Sequence, residues 1–102
     1  MSRSFILTPS ASRDIDGIFE YVLEHDGPVR ALHVYNKLHE GFLKIGAHPG
    51  IGHWREELAD ESLRVWTVFS FLVIYLPETR PVQIIRVLHG ARDISKAIEE
   101  EV

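Results

Sequence analysis

The chain has 102 residues, 45% of them hydrophobic and 25% charged, with seven Gly, five Pro and no Cys, which is the composition of one ordinary globular domain spanning residues 1–102. Collagen-like, low-complexity and disulfide-stapled chains are excluded, and two domains would each fall near the lower size limit of about 50 residues. The net charge of −4 is uneven: residues 1–61 balance to −4, residues 62–98 to +3, and Glu99, Glu100 and Glu101 add −3. An acidic or polyanionic partner is expected at the basic second half, unless those charges simply face solvent. No stretch approaches the ~18 apolar residues of a membrane span, and the apolar run near Met1 is too short for a signal peptide, so a cytoplasmic location without membrane contact is expected.

Phe5-Ile6-Leu7 reads as a short strand, ended by Thr8-Pro9 as an N-cap followed by proline at the first helical position. In the helix that follows, Ile15, Ile18, Phe19, Val22 and Leu23 recur at helical spacing, and Asp14, Asp16, Glu20 and Glu24 mark the wet side. Asp26-Gly27-Pro28 stops this helix and starts another, whose apolar face is Ala31, Val34, Tyr35, Leu38, Phe42 and Ile45. So short a connection makes the pair an antiparallel hairpin.

Between Gly46 and Ser62 no period is sustained, and a loop of this length suggests a functional or partner-contacting role. Three β-rich runs follow, at 63–68, 70–76 and 82–88, spaced as consecutive antiparallel strands. Gly90 ends the last of them, and Ala91 to Glu100 reads as a closing helix with Ile94, Ala97 and Ile98 on one side. The order β-α-α-β-β-β-α defines an α+β fold, with the helical hairpin packed on one face of an antiparallel sheet.

Chemistry-bearing patterns are sparse. His25, His33, His39, His48, His53 and His89 show no metal-ligand spacing, and the absence of Cys removes thiolate zinc ligands and thiol nucleophiles, so no metal is expected. Phosphate-cradling and dinucleotide fingerprints are absent, and no cofactor is expected. Arg64, Arg86, His89 and Arg92 form the best constellation. Guanidinium groups beside an imidazole suit transfer at a phosphodiester, where Arg stabilises developing charge and His moves the proton. Salt bridges among Arg64, Arg86, Arg92 and Asp93 explain the same residues structurally. Trp54, Trp66, Phe69 and Phe71 are core material by default, although helices on one side only would leave the other sheet face open to a partner.

Taken in order, Leu7-Thr8-Pro9 with Ala11, Asp14-Ile15, Ile18 and Tyr21, then His48-Pro49-Gly50-Ile51-Gly52 with Arg55, Glu57 and Leu58, then Leu63-Arg64-Val65, Phe71 to Tyr75, and Ile85 to Asp93 resemble the RelE/ParE superfamily of small toxins, its ParE branch in particular. The resemblance covers nearly the whole chain. It implies the toxin half of a type II toxin–antitoxin pair, a part in plasmid stabilisation, and an antitoxin whose disordered C-terminal segment folds as it binds, giving a hetero-oligomer. For the ParE branch it implies inhibition of DNA gyrase by protein–protein contact, without catalytic residues and without DNA binding by the toxin alone. For the RelE branch it implies a ribosome-dependent messenger RNA endoribonuclease, carried here by Arg64, Arg86 and His89. An acidic chain with three lysines fits poorly among ribosomal phosphates, which favours the ParE branch. A non-toxic antitoxin-binding co-repressor is the third alternative. Partner contact is expected of Trp54, Arg55, Arg64, Trp66, Phe69, Phe71, Arg86 and Arg92.

Overall fold

In the computed structural model, which describes residues 4–90 and 94–101, two side-chain bonds of Thr8 set the turn from the first strand into the first helix. Strand β1 (Phe5–Leu7) ends at this residue and helix α1 (Pro9–Asp26) begins after it. The Thr8 hydroxyl accepts from the Ala11 amide at 3.1 Å and donates to the Ile85 carbonyl at 2.8 Å, so one side chain caps the helix and anchors it to the sheet. Gly27, at φ 88°, takes the left-handed turn that lets helix α2 (Pro28–Ala47) fold back along α1.

The loop after α2 holds two short 3-10 turns, Pro49–Ile51 and Glu56–Leu58, before strands β2 (Arg64–Val68), β3 (Phe71–Leu76) and β4 (Val82–His89). Helix α3 (Ile94–Glu101) closes the element order. The sheet runs β1-β4-β3-β2; the last three strands pair antiparallel and β1 joins β4 in parallel. A parallel edge is possible because the chain between β1 and β4 is long enough to cross over, as parallel strands require. Opposite Ile74 and Tyr75 the register slips, and Ile85 is the extra residue of a bulge on β4.

One face of the sheet packs Val73, Tyr75, Val82, Ile84 and Val87 against the hairpin residues Ile15, Val34, Leu38 and Ile45. The other face does not stand open as expected: Leu72, Ile74 and Leu88 are covered by Leu58 from the loop and by Ile94 and Ala97 of α3. Three further expectations are corrected. Asp14 is not on a wet side, being only 13% exposed in its side chain. Leu23 lies about 100° round the helix from Val22, past the buried stripe, and is exposed. Tyr35 is also half exposed, with its ring edge against Phe19. Among the described residues no helix is long and apolar enough to cross a membrane.

Tyr75 ties the loop to this core. Its hydroxyl accepts from the Gly52 amide at 2.9 Å and donates to the Pro49 carbonyl at 2.7 Å. A Cβ on Gly52 would lie 2.6 Å from that hydroxyl and 2.8 Å from the Val65 carbonyl, so only glycine permits the approach. Burial pushes the Tyr75 phenol up from its ordinary value, with the Gly52 bond acting in the opposite sense.

Candidate functional site

Beyond Leu7 the short β1 leaves the edge of β4 unpaired, and the chain fills it with side chains. Asp14 accepts from the Val87 amide at 2.9 Å, from Arg86 Nε at 2.7 Å and from Arg86 Nη2 at 3.0 Å. Arg86 Nη1 donates to the Ala97 carbonyl at 3.1 Å, so this buried guanidinium joins α1, β4 and α3 at one point. A bidentate Arg–carboxylate pair of this kind is strong only because its hydrogen bonds are met on all sides. Among the described residues the carboxylate partner of Arg86 is Asp14, 72 residues earlier; Arg92 and Asp93, with which the sequence grouped it, lie outside the described residues.

The nuclease candidates do not converge. Arg64 stands opposite Tyr75 while His89 stands opposite Phe71, four residues apart along β3 and thus roughly 13 Å from end to end. Arg64 turns to the Glu61 and Leu63 carbonyls, each at 2.7 Å, and Arg86 is interior with its donors committed to Asp14 and Ala97. His89 is exposed at the far end, edge-on to Phe71 with ring centres 5.8 Å apart. No single substrate atom lies within hydrogen-bond reach of all three. Nor is the positive charge of residues 62–98 one surface, since Arg64 and Arg86 occupy separate places and Arg92 lies outside the described residues.

The remaining partner-contact candidates divide into groups. Trp54 is half exposed on the loop and donates its indole N–H to the Asp60 carbonyl at 3.3 Å; Arg55 pairs with Glu57 at 2.8 Å on the same loop. Asp60 itself accepts from the Ser62 amide and hydroxyl, bonds that hold its carboxyl below the usual range. Trp66 is partly buried against the hairpin face, under the Lys44 ammonium at 5.4 Å. Phe71 is buried in the core. Phe69, at the β2–β3 turn, is 47% exposed and leans on the His33 ring.

Phe69, Phe71 and His89 share an open cleft of 830 Å³ between the helical hairpin and this end of the sheet. Its helical wall is made by Arg13, Gly17 and Tyr21 along α1, and Arg30 with Val34 on α2; of these the sequence reading passed over Arg13, Gly17 and Arg30. Positions 13, 17 and 21 are spaced by four and so form one stripe on α1, which was the legible signal. Among the described residues neither Arg13 nor Arg30 is in an ion pair. Asp26 also lines the cleft, and Asp14 at its floor is already held by Arg86. The cleft thus offers aromatic rings and two guanidinium groups, a surface suited to apolar side chains accompanied by carboxylates. The described residues contain no cluster of three or more His, Cys, Asp or Glu able to hold a metal.

A chain in the solved structure described as "Chromosomal ParDE TA system from P. aeruginosa" superposes with a TM-score of 0.73 at 23% identity, covering 86% of this chain and 96% of that one. Toxin ParE3 of Caulobacter vibrioides is 30% identical over 90 residues, 88% of this chain and 89% of its own. Residues 5–94 match the family described as "ParE toxin of type II toxin-antitoxin system, parDE", and the chain belongs to that family. Membership in a toxin–antitoxin family implies a cognate antitoxin as partner.

Proposed function

We propose that this toxin acts in the cytoplasm by protein–protein contact, inhibiting DNA gyrase, and that its antitoxin neutralises it by folding an acidic, apolar-bearing segment into the cleft between the hairpin and the sheet. The observation that carries a contact mechanism is the dispersal of Arg64, Arg86 and His89, which leaves no shared point for phosphodiester chemistry. What supports the cleft as the antitoxin's landing place is its pairing of Phe69 with Arg13 and Arg30, two guanidinium groups without ion pairs among the described residues. A segment that orders on binding needs a large wet-to-dry surface to offset its lost entropy, and an aromatic-lined groove supplies one.

Purified toxin added to gyrase and relaxed plasmid is expected to inhibit supercoiling, and equimolar antitoxin to restore it. Supercoiling unaffected at saturating toxin refutes the proposal. Transcript cleavage on translating ribosomes, lost in His89→Ala, establishes the endoribonuclease alternative in its place.

A further inference from the structure

Two residues on different walls of the cleft are poor choices for folding. Gly17 stands in the middle of α1, where glycine is a weaker helix former than almost any other residue. A Cβ built on it meets nothing within 4 Å, so no close packing inside the chain asks for glycine there. Phe69 sits at φ 56°, in the left-handed region that a bulky side chain rarely adopts and that glycine takes freely. Its strain is not offset by burial, since the ring is 47% exposed over the cleft. The turn is also pinned from below: the Gly90 amide donates to the Ser70 carbonyl at 2.7 Å, and a Cβ on Gly90 would come within 3.0 Å of that oxygen. The tip is therefore held in place with its ring presented outward.

Strain and weak propensity that the fold does not explain, concentrated on one concave surface, are the mark of a site shaped for a ligand. We infer that Gly17 and Phe69 are binding elements: the antitoxin segment passes closely over the bare backbone at Gly17 while one of its apolar side chains packs under the Phe69 ring, and its carboxylates meet Arg13 and Arg30. This deepens the proposed docking of the antitoxin in the cleft and rests on it. A second copy of this chain suits the cleft less well, because the same guanidinium groups, in no ion pair among the described residues, would meet an identical set across a two-fold axis.

Binding of labelled full-length antitoxin to the full-length toxin, followed by fluorescence anisotropy beside thermal melts, tests this. Gly17→Ala is expected to raise Tm by about 3–6 °C, and Phe69→Gly to leave Tm equal or higher. Gly17→Leu, whose Cβ meets nothing within 4 Å and whose longer side chain would occupy cleft space, and Phe69→Gly are each expected to weaken antitoxin binding roughly tenfold or more. Folded Gly17→Leu and Phe69→Gly proteins that bind as tightly as the wild type overturn the inference alone. A lower Tm in Phe69→Gly also overturns it, by making Phe69 a residue kept for folding. Wild-type toxin that fails to bind the antitoxin removes the docking proposal and this inference together.

Discussion

The two faces of the sheet meet opposite fates. Behind it, Leu58, Ile74, Leu88 and Ile94 close over one another in a packed cluster. In front, the hairpin seals the central strands through Leu38 and Ile45 but leaves the β2–β3 turn half open, where Phe69 and His89 stay in contact with water beside Arg13 and Arg30. The same strands thus carry a side that the chain completes by itself and a side left to be completed. Stability is expected to concentrate in the first and recognition in the second.

That contrast is open to attack by substitution. The largest effect is expected where the two sides are knotted together: Asp14→Ala strips the buried Arg86 of its carboxylate and the Val87 amide of its acceptor, and should cost about 3–5 kcal/mol in urea unfolding. A loss under about 1 kcal/mol would show the pair to be dispensable. Leu58→Ala, a fully buried side chain on the sealed side, should cost about 2–5 kcal/mol while leaving the antitoxin affinity of the folded fraction unchanged.

Tyr75→Phe comes next, at about 1–3 kcal/mol, because the Gly52 amide and the Pro49 carbonyl both lose their partner. This residue also sets a pH dependence. The folded phenol titrates above its unfolded value of about 10, so its contribution is fully present below that pH and is lost as pH rises through the raised value. Urea midpoints measured across alkaline pH should fall for the wild type, and this part of the fall should be missing in Tyr75→Phe. The smallest effect belongs to Arg55→Ala: its bridge to Glu57 has both side chains 45% exposed, and the expected cost is at most about 1 kcal/mol, shrinking further in salt.

Much of the architecture was legible because it is local. The Thr8-Pro9 cap, the Gly27-Pro28 reversal and the β-branched and aromatic runs of the three later strands are each fixed by neighbours in sequence. Contacts between distant segments were not. Asp14 borders the apolar stripe of α1 by position, and only the early end of β1 turns it inward against β4. Leu58 is a lone apolar residue in a polar loop, so periodicity gives no hint that it plugs the far side of the sheet. The composition of Ala91 to Glu100, of which the first three residues lie outside the described ones, announced a helix but not the surface it would cover.

The site was half visible for the same reason. Phe69 and Phe71 stood out as aromatic residues of the second half of the chain, whereas Arg13, Gly17 and Arg30 look like ordinary solvent-facing helix positions until the hairpin is laid against the sheet. Arg64 and His89 share a sheet yet point to separate ends of it, a distance that strand register reveals and composition does not.

Because a single guanidinium grips both Asp14 and the Ala97 carbonyl, the last helix is coupled mechanically to the first. Asp14 follows Arg13 directly and lies one turn before Gly17, so the joint sits at the wall of the cleft. Tags, truncations or ligands at residues 94–101 are therefore expected to be felt on the opposite side of the sheet, through a joint whose guanidinium is buried.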